Sequence, residues 1–172
     1  MKNKRNRFLM LALSVIMTIG FANLSFSALA ITCYETEPND TQATANRTYD
    51  DYDNYGRFTT TSDNYDWWVV SFSRSGNVNL WLGNIPSGCD FDLYLFSSNG
   101  VQLASSLKAG QSDELISSYA VTANTNYYIR VTRYSGSSNS YYLMRTKNYP
   151  TIATYTITYN GNGNTSGSSP AS

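Results

Sequence analysis

The 172-residue chain contains no histidine, only two cysteines and only four prolines. Without imidazole, the Ser-His-Asp and Cys-His nucleophile systems and the usual His-ligated zinc sites are unavailable. Charge is sparse and unevenly placed. Lys2, Lys4, Arg5 and Arg7 supply four of the twelve basic residues and precede the one long apolar run, 8–21. A basic start, an apolar stretch and then Ala28-Leu29-Ala30 read as a secretory signal, residues 1–30, with an A-x-A cleavage site. Cleavage after Ala30 leaves 142 residues in which 8 basic groups face 12 acidic ones. A mildly acidic domain lacks the basic footprint that nucleic acid requires. No later apolar run approaches the roughly 20 residues that span a bilayer, so no membrane partner is expected after cleavage. The expected product is exported and extracellular.

What is abundant is tyrosine. Fifteen Tyr and three Trp offer ample area for a core, so disorder is expected only in the tail. The two cysteines, Cys33 and Cys89, form an even count in an exported chain and so favour a disulfide that would tie the N-terminal segment to the loop before Asp90; two unpaired thiols are the alternative. A lipid-attachment reading of Cys33 fits poorly, because Ala30 and Thr32 stand where a Leu and a small residue are wanted.

From Gly56 onward the chain reads as short strands between Gly, Ser and Asn turns. Residues 66–72, 78–82, 90–96, 101–105, 114–121, 127–133 and 141–145 have strand composition, and Ser98-Asn99-Gly100 is a hairpin signal. Alternation places Trp68, Val70 and Phe72 inward, then Val78, Leu80 and Leu82, then Phe91, Leu93 and Leu95. No helical period appears beyond the signal segment. The expected fold is all-β, an antiparallel jelly-roll-like β-sandwich over residues 31–148. Residues 149–172 read as a linker, a strand at 154–159 and a Ser/Gly-rich tail. The strand with its Asn-Gly turn is similar to the opening of the Listeria–Bacteroides cell-surface repeat; a flexible polar tail is the other reading.

Acidic residues gather early. Glu35, Glu37, Asp40, Asp50, Asp51, Asp53, Asp63 and Asp66 face only Arg47 and Arg57 between positions 35 and 66, a local net of −6. In an extended segment Glu35 and Glu37 share a side, and Pro38 can turn the chain so that Asn39 and Asp40 approach the same point. Carboxylates so gathered repel unless neutralised. Outside the cell Ca²⁺, which takes six to eight hard oxygen ligands, is the natural candidate; a solvated acidic surface is the alternative.

The series ETEPND (35–40), Gly56, SDNYDWW (62–68), SGNVNLWL (75–82), CDFDLYLF (89–96), the Asn99-Gly100 turn, NYYIRV (126–131) and SYYLMR (140–145) resembles the bacterial pre-peptidase C-terminal domain, related to the collagen-binding modules of bacterial collagenases. The resemblance implies a non-catalytic jelly-roll-like sandwich that accompanies exported enzymes. It also implies calcium ligands at Glu35, Glu37, Asn39, Asp40, Asp63 and Asp66, each matching the motif in residue type and spacing. No protease domain precedes the module here, and Cys33 and Cys89 are not part of the family pattern.

Trp67, Trp81, Tyr94, Tyr128 and Tyr142 are candidates for an outward aromatic row able to grip a collagen-like protein or an extracellular polysaccharide. Tyr is also simply a good strand former. Asp90 and Asp92, two apart on a strand, are the one acid–base pair on offer, and no nucleophile constellation accompanies them. The expectation is therefore not an enzyme but a secreted, calcium-binding accessory module that binds a polymer or aids a partner's secretion. The alternative is a structural spacer in a modular cell-surface protein; a glycan hydrolase fragment ranks below both.

Overall fold

The computed structural model describes residues 31–151; the signal segment and the 154–159 strand lie outside them. Ten strands form two five-stranded sheets. The first sheet holds β1 (Thr32–Tyr34), β3 (Asp53–Gly56), β10 (Tyr142–Pro150), β5 (Gly76–Gly83) and β8 (Glu114–Val121), in that spatial order. The second holds β2 (Asn46–Arg47), β4 (Tyr65–Ser71), β9 (Asn126–Ser135), β6 (Asp90–Ser97) and β7 (Gln102–Ser106). The all-β sandwich anticipated from the strand periodicity is what forms. Its long strands pair antiparallel, but the N-terminal edges do not: β1 runs parallel to β3 and β2 parallel to β4, so each sheet is mixed.

The core is the set that period-two alternation selects. Trp68, Val70, Val78, Leu80, Leu82, Phe91 and Leu93 are wholly excluded from solvent, and Phe72 and Leu95 nearly so. Each places one face of its strand against the opposite sheet, where apolar burial contributes roughly 25 cal/mol per Å². Phe58, Phe91 and Tyr142 pack ring to ring at one end of this layer, with centroids 4.9–6.0 Å apart.

Three strands carry no strong sequence signal. β1, β2 and β3 are two to four residues long, too short for alternation to register, and exist because longer neighbours template them. At the other end β10 runs to Pro150, beyond the expected strand end at Arg145 and into the expected linker. Proline is tolerated there because it ends the strand, where the missing N–H costs little.

The segment between β1 and β2 is the part that positions the site. It leaves the first sheet at Glu35, whose N–H donates to Tyr55 O at 2.9 Å. It reaches the second sheet at Asn39, whose carbonyl accepts from Trp67 N–H at 3.0 Å. A single 3₁₀ turn, Gln42–Thr44, follows, capped reciprocally by Thr41 and Thr44. One short crossing thus touches both sheets.

The expected disulfide is not formed. Cys33 lies on β1 in the first sheet, packed against the core, while Cys89 is buried just before β6 in the second; both thiols are free. The Cys89 sulfur faces the backbone at Gly136, where a Cβ would come within 2.9 Å of it. Burial pushes both thiols up from their ordinary values.

Candidate metal centre

Glu35, Glu37 and Asp66 come together from β1's end, the crossing and β4. One carboxylate oxygen from each lies within 4.8 Å of the other two. Each is placed by a specific backbone feature. Arg57 N–H donates to Glu35 Oε1 at 2.6 Å, and Asn39 N–H donates to Glu37 Oε2 at 2.9 Å across the cis Glu37–Pro38 turn. Asp66, wholly buried, takes a 2.6 Å hydrogen bond from Tyr142 Oη. Gly56 makes room: a Cβ there would collide with the Tyr142 ring and hydroxyl and with Glu35 Oε2.

The remaining three residues of the expected set lie around this nucleus. Asn39 is buried, and its side-chain oxygen position stands 3.2 Å from both oxygens of Glu37. Two acceptors so placed require either a turned amide that donates to the carboxylate or a cation between them. Asp63 shares a 260 Å³ hollow with Glu35 and Glu37, and a neighbouring 280 Å³ hollow with Glu37 and Asp40. Asp40 itself is exposed. Glu35, Glu37, Asp40 and Asp63 thus line two neighbouring hollows, with Asp66 and Asn39 beside them through Glu35 and Glu37.

Its electrostatics are unbalanced. Oε2 of Glu35, Oδ1 of Asp63 and Oδ1 of Asp66 are buried with no hydrogen-bond partner. Burial, and then the charge of Glu35, raise the Asp66 carboxyl far above the ordinary range. Burial likewise raises Glu35, against the backbone donor from Arg57. Asp63 is pushed up to about 6 by burial and by the charges of Glu37 and Asp40. Carboxylates this close cannot all ionise unaided; a proton or a cation must sit among them.

Arg133, which carried no sequence signal, holds the Asp63 loop. Its Nε donates to Asp63 O at 2.8 Å and one terminal nitrogen donates to Thr61 O at 2.7 Å. Because it binds carbonyls rather than the carboxylate, it fixes the loop while leaving Asp63's side chain facing the hollow.

The aromatic candidates do not form one row. Tyr142 is a correction: it is fully buried, because its hydroxyl is needed between Asp66 and Trp68 Nε1. Trp81 stands on the outer face of the first sheet, its Nε1 donating to Asp113 Oδ2 at 3.1 Å. Trp67, Tyr94 and Tyr128 share the outer face of the second sheet, but Trp67 is only 9% exposed, covered by Phe96 at 4.9 Å between ring centroids. Arg130 completes this face. It stands in register between Trp67 and Tyr94, its guanidinium 4.5 Å from the Tyr94 ring centroid and 5.0 Å from that of Tyr65. Tyr65 and Arg130 were not among the expected residues; alternation from Trp67 and Tyr128 is the signal that could have found them, but the cross-strand register that unites them does not follow from the sequence.

These features define a two-sheet β-sandwich module with a carboxylate cluster where the chain crosses between sheets. Residues 64–133 match the family model described as the bacterial pre-peptidase C-terminal domain, so the resemblance carried by the strand motifs holds. Of the six acidic-region residues this match includes Asp66 alone. A solved structure, the pre-peptidase C-terminal domain of collagenase from Bacillus anthracis, superposes with a TM-score of 0.51 at 17% identity, covering 66% of this chain and 100% of that one. At that identity the likeness speaks for the fold. No curated protein matches the chain.

Proposed function

We propose that the chain is an exported, non-catalytic accessory module whose N-terminal crossing is locked onto the sandwich by calcium. The observation that carries the reading is the convergence of Glu35, Glu37 and Asp66 with unpartnered buried oxygens on Glu35, Asp63 and Asp66. An all-oxygen donor set with several carboxylates suits Ca²⁺ by charge and hardness, and the donors present fit that ion. Glu35, Glu37, Asn39, Asp40, Asp63 and Asp66 would hold it. Bound there, the ion supplies positive charge; the protein's residues supply orientation, through Tyr142 on Asp66, Gly56 beside Glu35 and Arg133 on the Asp63 loop. The family match supports the accessory role, and among the described residues no helix is long and apolar enough to cross a membrane.

The test is thermal unfolding of the full chain in excess EDTA and in calcium. Ligand at about 100 times its dissociation constant stabilises by about 2.7 kcal/mol, which moves the midpoint by about 10 °C for a domain of this size. An unchanged midpoint sinks the calcium reading and leaves the spacer reading in front.

A polymer-binding role is the finer part of the proposal. It is supported by the Tyr94, Tyr128, Tyr65 and Arg130 surface on the second sheet, and by the collagenase origin of the structural neighbour. Retention on fibrillar collagen or on cell-wall polysaccharide, lost in Tyr94→Ala, is the expected outcome; no retention on either favours a spacer.

A further inference from the structure

The outer face of the second sheet carries, toward the start of β6 and sharing Tyr94 with the Trp67–Arg130 face, a third hollow of 410 Å³. Asp90, Asp92, Tyr94, Leu107, Lys108 and Tyr134 line it. Asp92 is 8% exposed and takes no hydrogen bond from any protein group. Oδ1 of Asp90 is buried without a partner, and so is Oγ1 of Thr132, which pairs with Asp92 across the β6–β9 ladder. A buried oxygen with no donor is costly, so Asp90 Oδ1 and Thr132 Oγ1, beside the Asp92 carboxylate that opens onto the hollow, mark a place where a ligand can supply the missing hydrogen bonds.

The protein supplies only part of them: Arg130 draws the Asp92 carboxyl down without outweighing its burial and its acidic neighbours. Lys108 Nζ donates to Asp113 O at 2.6 Å, which turns its charge to the turn's own backbone. Arg130 lies over the rings of Tyr94 and Phe96. The ion pairs among the described residues are Arg145 with Asp53 and Lys147 with Asp51, both on the other sheet or its loops. Burial and the charges of Asp90 and Glu114 accordingly push Asp92 up to about 6. Two carboxylates are the charged acceptors this hollow offers, whereas the converging trio among the described residues is Glu35, Glu37 and Asp66. Two carboxylates beside tyrosine rings and the exposed Leu107 suit instead an organic cation on an apolar stem, with ring faces adding cation–π attraction.

We propose that this hollow binds a lysine or arginine side chain of another polypeptide, its charge taken by Asp90 and Asp92 and its aliphatic stem by Tyr94, Tyr134 and Leu107. At 410 Å³ the hollow stands near the small end of the roughly 300–1,000 Å³ typical of ligand pockets, a size suited to one side chain. The proposal is independent of the calcium reading, since none of its residues borders the Glu35 cluster.

The test is an amide NMR titration of the full chain with three probes: the N-acetyl methylamides of lysine, arginine and norleucine, each in calcium and in EDTA. Saturable shifts at residues 90–94 and 107–109 are expected with lysine or arginine and not with norleucine. Asp92→Asn is expected to weaken binding by about tenfold, as loss of one charge-assisted contact does. Its melting midpoint should not fall, because Asp92 has no partner to lose; Asp90→Asn provides a second reading should it fall. Absence of saturable shifts with both cations, equal shifts with norleucine, or unchanged binding in both variants overturns the proposal.

Discussion

Tyr142 Oη donates a 2.6 Å hydrogen bond to Asp66 Oδ2 and accepts one of 3.3 Å from Trp68 Nε1. One hydroxyl thereby joins the carboxylate cluster to the apolar core at Trp68. Tyr142→Phe removes a donor from a buried carboxylate and an acceptor from a buried indole. The expected loss is about 1–3 kcal/mol in calcium, read by urea unfolding, with weaker calcium binding in the same variant because Asp66 loses the group that aims it.

Charge relief and the proposed metal binding would pull in opposite directions at Asp63. Its carboxyl is raised by burial and by Glu37 and Asp40, so the ionised form is unwelcome in the metal-free fold. Asp63→Asn is expected to melt at or above the parent in EDTA, and below it in calcium. A crossing of the two orders distinguishes a metal site from a mere acidic surface, on which Asn would help under both conditions.

The same shifts set a pH dependence. Asp63 folds with a pKa of about 6, and Glu35 and Asp66 are raised as well. The folded chain then holds more protons than the unfolded one above about pH 4, so stability without calcium falls as pH rises through 6. Asp53, held low by Arg145, acts the other way, but only at and below the ordinary carboxylate range. Saturating calcium, which binds the deprotonated cluster, is expected to flatten or reverse the fall. Melting midpoints from pH 4 to 8 with and without the ion check this, and parallel curves would argue against a bound cation.

Gly56→Ala tests the fit between β3 and the cluster. The added methyl has to displace the buried Tyr142 ring or Glu35, an overpacking expected to cost about 1–3 kcal/mol. Like Tyr142→Phe it is expected to reduce the calcium response, here by moving Glu35 rather than by freeing Asp66, and tryptophan fluorescence follows whether the Tyr142–Trp68 contact survives.

The core was legible because nine inward residues on three strands alternate without a break, and each is buried as alternation requires. The Glu35–Asp40 and Asp63–Asp66 motifs were legible as chemistry, since clustered carboxylates need no fold to look unusual. What did not show was anything set by pairing. Tyr142 has the composition of a surface tyrosine; only its register opposite Gly56 turns it inward. Cys33 and Cys89 gave an even count but no geometry, and Cys33 lies on β1 of one sheet while Cys89 precedes β6 of the other. Arg133 acts on main-chain carbonyls distant in sequence, a contact that leaves no residue pattern.

The crossing from β1 to β2 gives each sheet a very short parallel edge, three residues on one side and two on the other. Edges this slight carry few hydrogen bonds of their own, so residues 32–47 are expected to open at lower cost than β3 through β10. Backbone amide exchange in this strap is then a direct gauge of how often its clasp is fastened, slow with the cation seated and fast without it, against an unchanging background from β5 and β9.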